Sequence, residues 1–315
     1  MKKMIALVAS FIVLAWAVEP LLAAGDAPKC STKYPIILVH GAFFKDENML
    51  GINYWWQIPS ALEDEGAVVY VCQQDTFNGS IERAKEVAAE IGQLFALNPT
   101  WKKVNIIAHS QGPLDSRYMI SNLGIPGKGL AKNYVASLTS ISGVHRGSEV
   151  ADLLWKMYKG IPVLGPALGD AIMAAIDAFA DIFYYNEQDQ NTMLLLYSLT
   201  SDYMKNVFNP MTPDAAGVYY QSWGGKITGL HPELENVLVA PLWAIMKLMG
   251  AGDNDGLVSL TSAKWGKWRG ALTGAWWGDG VNHFNEINHF FGSTSGFDAP
   301  GFYIDVVKEL KSMGY

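Results

Sequence analysis

A short segment around Ser110 has the residue types that a nucleophilic serine requires. It reads Ala108-His109-Ser110-Gln111-Gly112, follows an apolar run and opens a stretch with helical character. A strand, a sharp turn and a helix in this order expose a serine hydroxyl above a sheet. The turn is so tight that the residues two before and two after the serine must be small. The segment therefore predicts a nucleophile elbow, although so short a pattern also occurs by chance.

The serine hydroxyl needs a base beside it, and the base needs an acid to orient it. In this kind of sheet the chain order is serine, then acid, then histidine. The histidines after Ser110 are His145, His231, His283 and His289. His283 lies in a late loop before the last helix, which is the expected position, and His289 sits in a similar segment and competes with it. His145 and His231 come too early to follow the acid.

The acid is best assigned to Asp255. It lies in Asn254-Asp255-Gly256-Leu257-Val258, a loop beside a short apolar run. Asp253 and Asp279 are alternatives, each of which would be an ordinary solvated loop carboxylate.

Acyl transfer also requires hydrogen-bond donors for the oxyanion that develops on the substrate. One donor is expected to be the backbone N–H of Gln111, directly after the nucleophile. The other is expected in the loop after the first core strand, which begins His40-Gly41-Ala42. Gly41 permits a close backbone approach, so the N–H of Ala42 is the candidate. A plain turn at His40-Gly41 is the alternative.

Hydrophobic patterning indicates the elements that must position these residues. Short β-branched apolar runs are typical of strands buried on both faces of a parallel sheet. They predict strands at 36–39, 67–71, 104–108 and 134–141, with further candidates at 218–223 and 257–258. Helices are predicted at Ser80–Leu97, 113–123 and 302–313, and Arg83 begins a charged face of the first. The alternation predicts an α/β fold with a mostly parallel central sheet and helices on both faces.

One stretch interrupts this alternation and is a candidate lid, at about residues 150–190. Its apolar helical face consists of Leu168, Ile172, Ile176, Phe179 and Phe183. Its narrow polar face consists of Asp170, Asp177 and Asp181. An amphipathic helix here could cover an apolar cleft and swing away at a lipid surface. An ordinary surface helix packed on the core is the alternative.

The first 24 residues predict a signal peptide, and residues 25–315 form one domain. Lys2 and Lys3 precede an apolar stretch, and small residues follow near Ala24. The protein is therefore expected to be secreted, and an uncleaved anchor is the alternative.

The formal net charge is −7 with no long basic run, which argues against a nucleic-acid partner. Cys30 and Cys72 could pair only if residues 25–33 fold back.

As a set, these blocks resemble the bacterial true lipases of the Pseudomonas and Burkholderia type. The likeness runs from about Tyr34 to Gly292 and is densest in a few blocks. The blocks are Tyr34-Pro35-Ile36-Ile37-Leu38-Val39-His40-Gly41, Leu50-Gly51-Ile52-Asn53-Tyr54-Trp55 with Ile58-Pro59-Ser60-Ala61-Leu62, His145-Arg146-Gly147-Ser148, Tyr220-Gln221-Ser222-Trp223, Asn254-Asp255-Gly256-Leu257-Val258, and Asn282-His283 with Glu286 and Asn288. The resemblance implies the α/β-hydrolase fold with a helical lid, and it favours Asp255 over Asp253 and His283 over His289.

The resemblance also implies an activity. The expected function is hydrolysis of triacylglycerol or other carboxylic esters through an acyl-enzyme on Ser110, without a cofactor. The expected partners are a lipid or ester substrate at an oil–water interface and a lipase-specific foldase. A short-chain carboxylesterase or polyesterase is the first alternative. A non-catalytic binding protein on the same fold is the second.

The sequence departs from the family at the elbow and at the family's calcium site. Ala108 stands where glycine is usual, and Pro113 where a second glycine is common. The side chains at the calcium position correspond to His231, Asn285 and His289. Calcium prefers oxygen ligands that include carboxylates, so we predict no metal there. We expect these side chains to hydrogen-bond one another and to stiffen the His283 loop, and a zinc site is the alternative.

Overall fold

The computed structural model describes residues 28–42, 53–161, 191–229, 234–289 and 291–315. Three features predicted from the sequence lie outside these ranges. They are the signal peptide, the amphipathic stretch from Leu168 to Phe183, and His231. The division into a signal peptide and one domain stays a prediction.

A six-stranded parallel sheet forms the centre of the fold. Its strands are β1 (Ile36–Val39), β2 (Val69–Val71), β3 (Val104–His109), β6 (Val135–Ile141), β7 (Tyr219–Gly225) and β8 (Lys267–Leu272). Their order across the sheet is β2-β1-β3-β6-β7-β8. A separate hairpin pairs β4 (Gly124–Ile125) with β5 (Gly129–Leu130). Parallel strands end at the same edge, so the loops after β1, β3, β7 and β8 meet there.

Helices cover both faces of the sheet. They are α1 (Ile58–Asp64), α2 (Ser80–Leu97), α3 (Gly112–Asn122), α4 (Glu149–Tyr158), α5 (Thr192–Ser198), α6 (Leu234–Leu248), α7 (Leu260–Ala263) and α8 (Ala299–Ser312). Short turns, Ser201–Tyr203, Met204–Phe208 and Asn209–Met211, connect α5 towards β7. α2 has the predicted bounds. α8 begins three residues earlier than predicted, because the Asp298 side chain caps it by accepting from the N–H of Gly301.

Side chains of β1 alternate between two cores, as the period of a strand requires. Ile36 and Leu38 belong to the core that α1 and α8 cover. Ile37 and Val39 belong to the core that α2 and α3 cover. The two buried faces explain why the central strands are continuous apolar runs, and they fix the orientation of the strand ends that carry the site.

One strand was predicted in the wrong place. Leu257 and Val258 lie in a bend closed by a bridge between Asn254 and Ser259, and the last strand of the sheet is β8. β8 lies at the edge of the sheet, and most of its side chains are only partly buried. Its sequence, Lys-Trp-Arg-Gly-Ala-Leu, therefore lacks the apolar run by which the central strands were found.

Cys30 and Cys72 are both buried and unpaired as thiols, so no disulfide joins them. No helix among the described residues is long and apolar enough to cross a membrane.

Candidate active site

Ser110 lies in a sharp turn between the end of β3 and the start of α3. Its backbone has a φ of 61°, in the left-handed region that non-glycine residues rarely adopt. A Cβ on Gly112 would lie 2.8 Å from the carbonyl oxygen of His40, so only glycine fits after the turn. Ala108, on the other side of the turn, packs in the core that α2 and α3 cover, and this core accommodates its methyl group. These are the strand, strained turn and helix that the motif predicted.

The side chains of Ser110, His283 and Asp255 form a chain of hydrogen bonds. His283 Nε2 lies 2.9 Å from Ser110 Oγ, and its Nδ1 lies 2.8 Å from Asp255 Oδ2. All three residues are buried, with Asp255 fully so. The backbone also joins the pair, because the N–H of His283 donates to the carbonyl of Asp255 at 3.0 Å. Residues far apart in sequence therefore meet at the carboxyl edge of the sheet.

Asp255 is held by the turn that follows it. Its Oδ1 accepts from the backbone N–H groups of Leu257 and Val258 at 2.9 and 2.7 Å. This leaves Oδ2 directed at the imidazole. Gly256 takes a φ of 98°, which lets the chain turn back around the carboxylate. The Asn-Asp-Gly segment thus presents one oxygen to His283 and satisfies the other.

The competing acids and histidines lie elsewhere. The side chain of Asp253 is 42% exposed, and hydrogen bonds from Lys226 and Lys247 lower its pKa. Asp279 was expected to be a solvated carboxylate as well, and this is wrong because it is buried. His145 contacts Ser140 Oγ through Nε2 at 2.8 Å and stacks on Trp265. His289 Nε2 lies 2.8 Å from the carbonyl of Asn53. Among the described histidines and loop carboxylates, His283 and Asp255 are the pair in line with Ser110.

The loop after β1 packs directly against Ser110. A Cβ on Gly41 would lie 2.5 Å from Ser110 Cβ and 3.0 Å from its Oγ, so this position requires glycine. Ala42 follows at once and is buried. Gln111 precedes the first turn of α3, where backbone N–H groups have no partner within the helix. The N–H groups of Ala42 and Gln111 thus belong to the two segments that flank the serine.

Arg83 holds this loop in place, a role that the sequence reasoning missed. It was predicted to begin a charged face, and this is wrong because it is fully buried. Its Nη2 donates to the carbonyls of His40 and Gly41 at 2.8 and 3.1 Å, and its Nε to Asp115 at 2.7 Å. Burial raises the pKa of Asp115 to about 6, and Arg83 opposes that rise. Spacing carried a signal, since Arg83 falls four residues before Val87 on the apolar face of α2.

A second polar network lies beneath the catalytic imidazole candidate. The ring of His109 is 4.4 Å from that of His283. Its Nε2 lies 2.9 Å from Glu286 Oε2, and its Nδ1 lies 2.7 Å from Tyr54 Oη. Ser142 donates to Glu286 Oε1 at 2.6 Å. Burial lowers the pKa of His109 and raises that of Glu286. The imidazole of His109 is therefore neutral, and its ring packs against that of His283.

Among the described residues, the side chains that could bind a metal already form hydrogen bonds. One ligand atom each from His109, His283 and Glu286 lie within 4.8 Å of one another, but these side chains are bonded as described above. At the family's calcium position, Asn285 Oδ1 accepts from the N–H of Asn282, and Asn285 Nδ2 donates to the carbonyl of His289. Neither residue offers a carboxylate, so the described part of this position does not fit calcium. Calcium independence stays a prediction.

Sequence relatives of the chain are lipases. It is 32% identical to a triacylglycerol lipase of Vibrio cholerae serotype O1, with 100% of both chains covered. It is 30% identical to a triacylglycerol lipase of Burkholderia plantarii, in an alignment that covers 89% of this chain and 85% of the relative. A triacylglycerol lipase of Pseudomonas fragi is 29% identical, with 90% of this chain and 98% of the relative covered. No protein-family model matches the chain.

Two bacterial lipases are among the solved structures with a similar fold. A lipase of Staphylococcus hyicus superposes with a TM-score of 0.59 at 17% identity, and covers 90% of this chain and 98% of its own. The mature form of a Bacillus licheniformis lipase gives a TM-score of 0.59 at 18% identity, with 88% and 92% covered. At these identities the likeness concerns the fold. It agrees with the predicted α/β-hydrolase architecture, and the predicted lid lies largely outside the described residues.

Proposed function

The chain belongs to the triacylglycerol lipase family and is an ester hydrolase, and from this we propose that Ser110, His283 and Asp255 are its catalytic triad. The family resemblance inferred from the sequence is thereby confirmed. The observation that carries the proposal is the continuous hydrogen bonding from hydroxyl to imidazole to carboxylate. The proposed substrates are triacylglycerols at an oil–water interface.

The proposed reaction has two acyl-transfer steps. Ser110 Oγ attacks the ester carbonyl carbon while its proton passes to His283 Nε2. His283 then gives that proton to the leaving alcohol, and an acyl ester remains on Ser110. A water molecule loses a proton to His283 and attacks this ester, and the return of the proton to Ser110 Oγ releases the fatty acid. No cofactor is required for either step.

Asp255 and the two backbone amides would stabilise the charges that form. A carboxylate beside Nδ1 keeps the proton there, leaves Nε2 free to accept, and stabilises the imidazolium. The N–H groups of Ala42 and Gln111 are proposed to bind the oxyanion. Loss of one such donor typically costs about 10²–10³-fold in kcat. Arg83 supports the proposal indirectly, because it fixes the carbonyls of His40 and Gly41 and hence the orientation of the next amide.

Export and assisted folding are proposed as well. The charged, apolar and small-residue order of the first 24 residues supports cleavage and secretion. A foldase partner is proposed on family membership alone.

The test is hydrolysis of emulsified triolein and of soluble short-chain esters by the natural protein and by Ser110→Ala. We expect the variant to lose at least about 10⁴-fold in rate on both, with an unchanged unfolding transition. Ser116→Ala is the matched control, a buried serine in α3 whose hydroxyl donates to the carbonyl of Gly112. Substantial activity in Ser110→Ala would refute the assignment. Activity restricted to short, soluble esters would favour the carboxylesterase alternative.

A further inference from the structure

The segment that carries His283 presents an uncharged surface. Residues 271–297 follow β8 and contain no lysine or arginine. Their only acidic residues, Asp279 and Glu286, are 1% and 0% exposed. Although the net charge of the chain is −7, no charged side chain is exposed among the described residues of this segment. This surface is suited to an electrically neutral, apolar partner.

The same segment exposes large aromatic side chains. Trp276 is 91% exposed, the highest value among the large apolar side chains that the structure describes, and Trp277 is 62% exposed. Their rings are 5.6 Å apart and nearly perpendicular. Phe291 is 59% exposed, with its ring 5.4 Å from that of Trp56. Adjacent exposed apolar groups, such as the tryptophan pair, mark interaction sites more often than scattered single residues do.

The tryptophan pair lies on the same edge of the sheet as Ser110. It follows the carboxyl end of β8, as Ser110 follows that of β3, and the two strands are parallel members of one sheet. Hydrogen bonds hold the loop that carries Trp276 and Trp277. The N–H of Gly278 donates to the carbonyl of Ala275 at 3.1 Å, and Thr228 Oγ1 donates to the carbonyl of Gly278 at 3.3 Å. The loop is thus tied to the scaffold while both indoles face outward.

We propose that Trp276 and Trp277 anchor the enzyme to the surface of a neutral-lipid droplet, with the Ser110 edge facing the oil. The inference rests on the proposed function for its substrate, but the anchor itself does no chemistry. Indole rings favour lipid–water interfaces because the ring is apolar while its N–H can still bond to water or a headgroup. The absence of exposed cations in the segment argues against an anionic membrane, which recruits basic residues.

The test measures binding separately from hydrolysis. Ser110→Ala serves as the parent, so that triolein droplets coated with phosphatidylcholine stay intact. Binding of this parent is compared, by flotation, with that of a variant that also carries Trp276→Ser and Trp277→Ser. The matched control instead carries Leu97→Ser and Leu130→Ser. Both leucines are exposed, and both precede the amino ends of strands, at the edge opposite the site.

We expect the tryptophan variant to lose at least about tenfold in droplet affinity. Two indoles that become partly buried in the lipid should contribute more than a factor of ten to the binding constant. The leucine control should bind as the parent does. With Ser110 restored, hydrolysis of a soluble short-chain ester should be unchanged by the tryptophan substitutions. If no version hydrolysed any ester, the proposed function would fail while the binding result stood.

Three outcomes would overturn the anchor. One is droplet affinity that is unchanged in the tryptophan variant. A second is parent binding that requires phosphatidylglycerol and disappears in salt, which would indicate an anionic membrane. The third is a dimer, seen by sedimentation, that the substitutions dissociate without weakening droplet binding, since that would assign the pair to a second copy of the chain.

Discussion

At the level of single residues, the bonds of Asp255 determine which nitrogen of His283 carries a proton. Oδ1 is occupied by the N–H groups of Leu257 and Val258, so Oδ2 is the acceptor that faces Nδ1. With the proton on Nδ1, Nε2 is an acceptor for the hydroxyl of Ser110. The role that we propose for Asp255 is therefore to select a tautomer and to stabilise the imidazolium, without itself exchanging a proton.

This role predicts the effect of Asp255→Asn. An amide NH₂ facing Nδ1 favours the wrong tautomer, so we expect kcat for ester hydrolysis to fall by about 10⁴-fold, with little change in KM. Steady-state kinetics on a soluble ester would measure it. Asp253→Asn is the control, because that carboxylate is exposed and bonded to lysines, and it should retain nearly full activity. A larger loss of activity in Asp253→Asn than in Asp255→Asn would show that Asp253, and not Asp255, is the catalytic acid.

At the level of elements, the site depends on where α2 meets the loop after β1. The Arg83–Asp115 pair is fully buried and links α2 to α3, and the same guanidinium bonds to two loop carbonyls. An arginine can do this because its planar group carries several donors at fixed angles. The loop that carries Ala42 is thus positioned by a helix about 40 residues away in sequence.

Truncation of this arginine should destabilise the protein strongly. Arg83→Ala leaves Asp115 buried without its partner, and such losses typically cost about 3–5 kcal/mol in the free energy of unfolding. Urea unfolding measures this. Lys85→Ala is the control on the same helix, since its exposed pair with Glu82 should contribute less than about 1 kcal/mol. Equal stabilities for the two variants would mean that the buried pair does not hold α2 and α3 together.

The elements that sequence analysis found and missed differ in their burial. The central strands β1, β3 and β6 are buried on both faces, so their β-branched apolar runs identified them. β8 lies at the edge, with mixed polarity, and was missed. Arg83 was wrongly predicted to be exposed, because the prediction rested on its charge alone. A charged side chain is normally exposed, and only the tertiary contacts with Asp115 and two carbonyls make its burial favourable.

At the level of the whole molecule, folding brings together residues that no local pattern connects. Ser110 and His283 are 173 positions apart, and a single parallel sheet places both at one edge. Motifs with a fixed local geometry, such as the elbow, could be predicted from the sequence. The network of His109, Glu286 and Tyr54 could not, because each residue comes from a different segment and nothing in the sequence indicates that they meet.

Buried neutral histidines also make global stability depend on pH. Burial, together with the neighbouring Arg117, lowers the pKa of His145 well below 6.5. The unfolded chain therefore binds a proton below about pH 6.5 that the folded protein does not bind. This histidine consequently contributes a loss of stability as the pH falls below about 6.5, the pKa of an unperturbed histidine.

His145→Gln should remove this contribution. The variant will be less stable than the natural protein at pH 7, because the imidazole contacts with Ser140 and Trp265 are lost. The gap between the two should narrow as the pH falls from 7 to 5, because only the natural chain must keep a buried imidazole unprotonated. Urea unfolding at both pH values measures the gap. A constant gap would show that the imidazole takes up a proton in the folded state.

Covalent labelling locates the nucleophile of the enzyme. A fluorophosphonate reacts with a serine only where a base activates the hydroxyl, so we predict one label per chain, found by peptide mass spectrometry on Ser110. Labelling and ester hydrolysis should disappear together in His283→Ala. A label on another residue, or full hydrolysis by a protein that takes up no label, would show that Ser110 is not the nucleophile.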